Sequence, residues 1–178
     1  MIKDSIITTK RLYLEALNES DMHGLKSMLQ DPDVMYAYEG AFSDKEVDEW
    51  YKRQLSRYEE YGFGLWAVKI KTSDEFIGQC GITMQSCNGK LVPEIGYLLR
   101  KEFWHKGYAT EAAKACMAYG FSKLGFTELF SIIRDGNIAS MRVAERNGMT
   151  ITGYCVKHFK GIDMRHTIYS IKSAVAVI

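Results

Sequence analysis

The chain has 178 residues, 47% of them hydrophobic, and a formal net charge of +1. A chain of this length and apolar content can bury a sizeable core, so we expect a single domain spanning residues 1–178. The near-zero charge gives no broad positive field for nucleic acid, and no run of about 18 apolar residues is present; we therefore expect neither nucleic acid nor membrane as a partner.

The spacing of apolar residues predicts alternating strands and helices. In chain order we expect a strand at residues 6–14, a helix at 19–30, and a helix that starts at a capping box of Ser43 and Glu46 and runs toward Tyr58. We then expect strands at 65–70, 76–84 and 94–99, a helix at 107–123, a strand at 128–133, a helix at 139–146, and strands at 150–156 and 166–171. This order is typical of a mixed α/β sandwich layered around one sheet.

The N-terminus and the cysteines bear on the compartment of the protein. Lys3 and Asp4, followed by two isoleucines, lack the apolar core and cleavage site of a signal peptide, so we expect a cytoplasmic protein. The cysteines lie far apart without a CxxC pair, which fits reduced core thiols better than disulfides or a metal site. They are Cys80, Cys87, Cys116 and Cys155.

A small-residue turn at residues 104–109, between a predicted strand and a predicted helix, is the strongest indication of function. The first N–H groups of a helix and its positive dipole end attract anions, and Gly107 and Ala109 let a phosphate approach them closely. The turn has neither the GxGxxG spacing of dinucleotide folds nor the GxxxxGK[ST] spacing of P-loops. Lys106 lies inside the turn, whereas the other basic pairs of the chain are more simply explained as solvated surface.

The turn WHKGYA resembles the [QR]xxGx[GA] pyrophosphate loop of GCN5-related N-acetyltransferases (GNAT). WHKGYATEA resembles the variant of the ribosomal-protein N-terminal acetyltransferase (RimJ/RimL-like) branch, in which Trp often replaces the Gln or Arg. Further motifs follow in the family's order, and the resemblance covers about residues 8–172. These motifs are TKRLYL at 9–14, EIGY at 94–97, NIAS at 137–140 and ERNGM at 145–149.

The resemblance implies a GNAT-type fold: a central, mostly antiparallel sheet with splayed fourth and fifth strands and flanking helices. The gap between those strands would admit the pantetheine arm of acetyl-CoA, the implied cofactor. The backbone N–H of Tyr97 or Leu98 would then meet the thioester carbonyl and stabilise the charge that develops on it. The implied cofactor-binding residues are Tyr97, Leu98, Leu99, His105, Lys106, Gly107, Tyr108, Ala109, Thr110, Asn137 and Ser140.

Amide formation also needs a base to take a proton from the amine, and Glu94 is the first candidate because it lies on the strand implied to splay. The alternative for Glu94 is a surface carboxylate. Ser140 is implied to lie near the CoA sulfur, and Asn137 and Ser140 can both instead cap a helix. The run 141–145 lacks the tyrosine that many family members use to protonate the thiolate, so Ser140 or water takes that role. No cysteine has a nucleophile-and-base arrangement, which favours direct transfer.

The segment between the first and third strands walls the acceptor pocket in this family. The resemblance therefore implies that the acceptor contacts are Tyr36, Tyr38, Glu39 and Trp50. The histidines show no metal spacing, and we expect His158 and His166 to be surface or strand-end groups. The acceptor stays open between a protein N-terminus, favoured by the branch, and a polyamine, amino acid or aminoglycoside. A non-catalytic CoA-binding module is the competing class, and a homodimer is compatible with either.

Overall fold

The structure, a computed structural model, describes residues 5–159 and 161–174. Its strands are β1 (Ile7–Thr8), β2 (Leu12–Glu15), β3 (Leu65–Ile70), β4 (Phe76–Cys87), β5 (Lys90–Leu99), β6 (Glu128–Arg134), β7 (Thr150–Phe159) and β8 (Ile162–Lys172). Its α-helices are α1 (Met22–Leu29), α2 (Asp44–Tyr61), α3 (Tyr108–Ser122) and α4 (Ile138–Arg146). Lys3 and Asp4, on which the expected location depends, lie outside the described residues.

The described strands form one sheet in the order β1-β2-β3-β4-β5-β6-β8-β7. All neighbours are antiparallel except β5 and β6, which are parallel and share one register pair, Glu94 opposite Phe130. Beyond that pair the two strands diverge, which leaves one edge of β5 without a partner strand. The predicted splay is therefore confirmed, and so is the mixed α/β sandwich.

The splayed strands are the fifth and sixth in this chain because the predicted strand at residues 6–14 is wrong. This segment is a hairpin in which β1 and β2 pair antiparallel, with Ile7 opposite Leu14. The Thr9 N–H donates to the Leu12 carbonyl at 2.9 Å, and the Thr9 hydroxyl accepts from the Leu12 N–H at 2.9 Å. This side-chain bond closes the turn, as expected of a threonine that competes with the strand ladder.

The helices cover the two faces of the sheet. On one face α3 packs against the strands, where Trp66, Ile82 and Cys116 belong to the main apolar cluster. On the other face α1 and α2 bury Leu25 and Trp50. The predicted capping box at the start of α2 is confirmed, because the Ser43 hydroxyl accepts from the Glu46 N–H at 3.3 Å and the Glu46 carboxylate accepts from the Ser43 N–H at 2.8 Å.

All four cysteines are buried and unbridged, as expected for core thiols. Cys80 Sγ and Cys116 Sγ lie 3.6 Å apart between β4 and α3. None of the helices in the described part of the chain is long and apolar enough to cross a membrane.

Candidate active site

Two cavities meet at the gap between β5 and β6. The loop-side cavity, about 500 Å³, lies between residues 103–110 and α4, and the α2-side cavity, about 540 Å³, lies between α2 and the sheet. They share lining residues at the gap: Val34, Tyr97, Leu98, Asn137 and Ser140. A ligand in one cavity can therefore touch a ligand in the other.

The wall of the loop-side cavity is the turn predicted from the sequence. Helix α3 begins at Tyr108, and Gly107 precedes it with a φ of 77°, a left-handed conformation that glycine adopts easily. The cavity is lined by His105, Gly107, Tyr108, Ala109 and Thr110. The first N–H groups of α3 thus lie at the cavity, where they can bind an anion.

Lys106 is the turn residue that does not line this cavity. Its Nζ lies 5.2 Å from the centre of the Phe103 ring, and its carbonyl accepts a hydrogen bond from Arg11 Nη1 at 2.8 Å. The structure therefore does not bring the Lys106 side chain to the place where the sequence predicted a phosphate contact.

Trp104, the residue that departs from the general loop pattern, braces the loop against β5. Its indole Nε1 donates to the Leu99 carbonyl at 2.9 Å. This bond ties the start of the turn to the last residue of the strand that borders the gap. A Gln or Arg would not fill the same apolar space, in which the Trp104 ring packs against core residues of both faces.

The direction of the β5 backbone decides which amide faces the gap. The N–H of Arg100 donates to the Ile77 carbonyl in β4. Because the direction of the backbone N–H and C=O groups alternates along a strand, the N–H and C=O of Leu98 also point toward β4. The Ile95 carbonyl points the other way, since it accepts from the Ser131 hydroxyl of β6 at 3.0 Å. Tyr97 therefore directs its backbone N–H into the gap, which separates the two candidates that the sequence left open.

Asn137 and Ser140 lie at the start of α4, and the Asn137 side chain caps this helix. The Asn137 Oδ1 accepts from the Ser140 N–H at 3.1 Å. The Tyr97 hydroxyl donates to the Ser140 carbonyl at 2.8 Å, and burial raises the pKa of this phenol well above its usual value. The neutral Tyr97 side chain thus holds α4 against β5 across the gap.

Glu94 is not a surface carboxylate. It lines the α2-side cavity and is half-buried, and its Oε1 accepts from the Ile132 N–H of β6 at 3.0 Å. Burial raises the pKa of Glu94 above its ordinary value, although Lys157, the Ile132 N–H and Arg57 oppose the shift. A carboxylate with a raised pKa in a cavity is suited to accept a proton.

The four predicted acceptor contacts lie in different places. Tyr38 and Trp50 line the α2-side cavity, with their rings 5.8 Å apart at an interplanar angle of 86°. Burial, together with the charge of Glu94, raises the pKa of Tyr38 to about 12. Tyr36 lines the loop-side cavity instead. Glu39 lines neither cavity, and its carboxylate pairs with Arg134 at 2.5 Å.

The expectation for His166 is wrong. His166 is only 8% exposed, lies in the middle of β8, and lines the α2-side cavity. Burial lowers the pKa of His166. The hydrogen bond between its Nδ1 and the Met164 carbonyl, 2.8 Å apart, opposes this shift only in part. A neutral imidazole with its Nδ1–H directed at that carbonyl leaves Nε2 as a proton acceptor. Its alternation with apolar neighbours in β8 is the only sequence signal for this burial.

Sequence reasoning also missed the arginines of both cavities. Arg142 and Arg146 line the loop-side cavity from α4, and Arg53 and Arg57 line the α2-side cavity from α2. Each pair is spaced by four residues and so lies on one helical face, a signal that was available in the sequence. Cationic side chains beside a helix N-terminus suit a ligand that carries several phosphates.

Comparisons with known proteins agree with this geometry. A family model described as an acetyltransferase (GNAT) domain matches residues 11–150. The chain is 40% identical over 144 residues to the uncharacterized protein YkkB of Bacillus subtilis, a match that covers 80% of this chain and 84% of that protein.

Solved structures share the fold. The crystal structure of a GNAT-family acetyltransferase from Bacillus anthracis matches with a TM-score of 0.78 at 25% identity, over 93% of this chain and 97% of that chain. RimL, a ribosomal L7/L12 α-N-protein acetyltransferase in complex with coenzyme A, matches with a TM-score of 0.74 at 20% identity, over 95% of this chain and 98% of that one.

Proposed function

The chain belongs to the GNAT family and is an acetyl-CoA-dependent N-acetyltransferase, and we propose that it acetylates a primary amine by direct attack in a ternary complex. The observation that carries this proposal is the shared wall of the two cavities around Tyr97. A donor in the loop-side cavity and an amine in the α2-side cavity would meet there without a covalent intermediate on the protein.

The residues of the loop-side cavity fit acetyl-CoA. The N–H groups at the start of α3 would bind the pyrophosphate, and Arg142 and Arg146 would add charge-assisted bonds. The unpaired edge of β5 would bind the pantetheine amides as a neighbouring strand does. Bound there, acetyl-CoA supplies an acetyl group that its thioester already activates.

Tyr97 and Glu94 then divide the chemistry between them. The Tyr97 N–H would stabilise the negative charge that develops on the carbonyl oxygen, a contribution worth roughly 3 kcal/mol for one such donor. Glu94 would take the proton from the attacking amine, directly or through water, because its raised pKa brings it nearer to the pH of the reaction. Ser140, which lines both cavities, would hydrogen-bond the departing thiolate together with water.

The same geometry serves two classes of acceptor. We propose a protein N-terminus first, on the resemblance of the loop to the RimJ/RimL-like branch, and a small primary amine second, because the α2-side cavity can hold either. The acceptor would lie against Tyr38 and Trp50, with its nitrogen at Glu94. We propose that residues 1–178 form one domain, which contributes the described residues that line both cavities.

The test is release of the free CoA thiol that depends on the acceptor, measured across N-terminal peptides and small amines. We expect turnover with at least one amine and none in the absence of an acceptor. Binding of acetyl-CoA without turnover on any amine would contradict the proposal and favour a non-catalytic binding module.

A further inference from the structure

One face of α2 supplies a row of charged residues to the α2-side cavity. Glu46, Glu49, Arg53 and Arg57 all line it, together with Trp50. The acidic residues of this row lie at the start of the helix and already have partners: Glu46 closes the capping box, and Glu49 lies 3.8 Å from Lys45. The basic end of the row is different.

Arg53 and Arg57 form the basic end of the row. Among the residues that the structure describes, no carboxylate forms an ion pair with either guanidinium. Arg53 lies over the Trp50 ring at 5.7 Å, and Arg57 Nη1 donates to Gln54 Oε1 at 3.2 Å. Gln54 is fully buried and also accepts from the Leu65 N–H at 3.3 Å, so it fixes the position of Arg57.

The absence of a partner has an energetic cost. Arg57 is half-buried, and its removal from water and the like charge of Arg53 lower its pKa, although the charge of Glu94 opposes this shift. Proteins normally pair a charge that they take out of water. The half-buried Arg57, which forms no ion pair within the described part of the chain and has the exposed Arg53 beside it, is therefore available to an anion that arrives with a ligand.

The surroundings place this anion near the reacting nitrogen. Arg57 and Lys157 are the cations that act on the pKa of Glu94, so the basic residues and the proposed base share one region of the cavity. Of the other basic side chains that line it, Arg134 is neutralised by Glu39, and His158 lies 2.9 Å from the Asp163 carboxylate. Burial lowers the pKa of His166, which favours its neutral form.

We propose that the amine acceptor carries a carboxylate a few bonds from its nitrogen and that Arg53 and Arg57 bind this carboxylate. This inference rests on the proposed function, since it specifies the acceptor of the same site. Arginine suits the task because its planar guanidinium can form two parallel hydrogen bonds to a carboxylate. A polyamine fits poorly, because its second ammonium group would face two guanidinium groups.

The experiment compares acceptors that differ only in charge. β-Alanine, its amide and 1,3-diaminopropane have the same carbon spacing but carry a carboxylate, a neutral amide or a second ammonium. A Ser-Glu-Ala-Ala peptide and its Ser-Gln-Ala-Ala counterpart, both C-terminally amidated, make the same comparison for a protein N-terminus. We expect kcat/KM, corrected for the fraction of neutral amine, to be highest for the carboxylate member of at least one set, and the set shows whether the source is a small molecule or a peptide.

Variants then assign the selectivity to the two arginines. In Arg53→Gln and Arg57→Gln the preference for carboxylate over amide should fall roughly tenfold to hundredfold, the loss expected for a charge-assisted hydrogen bond. Arg57→Lys should restore part of it. Lys52→Gln is the matched control, because Lys52 is exposed on the same helix and lines neither cavity. Thermal unfolding establishes that each variant is folded.

The outcomes separate this inference from the proposed function. Equal use of carboxylate and amide acceptors, or a preference that both Arg→Gln variants keep, would overturn the inference and leave the acetyltransferase proposal intact. Preferred use of 1,3-diaminopropane would do the same. No turnover of any of the five amines would overturn both.

Discussion

Arg11 holds Glu111 with two hydrogen bonds although the residues are 100 positions apart. The Arg11 Nε donates to Glu111 Oε2 at 2.6 Å, and the Arg11 backbone N–H donates to Glu111 Oε1 at 2.9 Å. The Thr9 hydroxyl adds a bond to Oε1 at 2.6 Å. The β1–β2 turn is thereby joined to the first turn of α3, and the Arg11 guanidinium lies 4.4 Å from the centre of the Tyr108 ring beside the phosphate-binding loop.

This arrangement predicts a stability that depends on pH. Burial alone would raise the pKa of Glu111, but the bonds from Thr9 and Arg11 and the charge of Arg11 outweigh it and lower that pKa below the usual value. A lowered pKa stabilises the folded state above the unfolded pKa of about 4.5, and the contribution is lost as the pH falls through the folded pKa. Glu111→Gln should therefore cost about 1 kcal/mol near neutral pH, since the half-exposed Arg11 is screened by water, and less in acid.

Urea unfolding of wild type and Glu111→Gln at neutral pH and near pH 3 measures this difference. Lys114→Gln is a suitable control, because Lys114 is exposed on the same helix. An equal loss of stability at both pH values would show that the ionised carboxylate is not what stabilises the turn.

The phosphate-binding loop predicts an order of effects on acetyl-CoA affinity. A Cβ at Gly107 would lie 3.4 Å from Arg11 Nη2, and a residue with a side chain would have to adopt a φ of 77° there. Gly107→Val should therefore weaken binding more than His105→Ala, because alanine preserves the His105 amide. Calorimetric titration of both folded variants with acetyl-CoA measures the order, and wild-type affinity in Gly107→Val would contradict the proposed loop contact.

Local patterns were sufficient to predict the elements that carry the site. Strand β3 and the start of α2 lie where apolar spacing and the capping box placed them. The turn at Gly107 was recognisable because small residues directly precede a helical pattern. The hairpin at Thr9 was not, since its closure depends on a threonine side chain and on Glu111, which follows it by 102 residues.

Part of what sequence reasoning missed depends on the approach of distant parts of the chain. Arg57 and Glu94 come from a helix and a strand that meet only after the sheet has formed. His166 is buried because β8 pairs with both β6 and β7, and one residue of slip would have turned its side chain to the other face. Spacing within a segment reports which face a residue occupies, but the neighbour of that face depends on the tertiary structure.

Glu94→Gln should lower turnover by roughly two orders of magnitude, the contribution typical of a general base. Acetyl-CoA affinity should stay close to that of wild type, and activity should partly recover at high pH, where more of the amine is neutral. His166→Gln is the informative comparison, since His166 is a buried proton acceptor that lines the same cavity. A normal pH–rate profile in Glu94→Gln together with a large loss in His166→Gln would assign the proton to the histidine.

We also expect Glu94→Gln to make the protein more stable. The pKa of Glu94 is raised in the folded state, so this group binds its proton more tightly when folded. Below the unfolded pKa of about 4.5 the carboxyl is protonated in both states, whereas above the folded pKa the native state must hold a half-buried charge. Glu94→Gln should thus raise Tm at pH 7 but not at pH 4. Differential scanning calorimetry at the two pH values tests this, and a lower Tm at pH 7 would mean that the ionised carboxylate stabilises the gap between β5 and β6.

Asn137 allows a structural role to be separated from a cofactor role in one experiment. Its Oδ1 caps α4, so Asn137→Ala should lower stability by about 1 kcal/mol, whereas Asn137→Ser keeps an N-cap acceptor and should remain close to wild type. If the Asn137 amide also contacts acetyl-CoA, as the family resemblance implies, both variants should weaken acetyl-CoA binding roughly tenfold, about the loss of one hydrogen bond. Chemical unfolding and calorimetry on the same samples measure the two effects. Full acetyl-CoA affinity in Asn137→Ser, with a loss only in Asn137→Ala, would leave helix capping as the role of this residue.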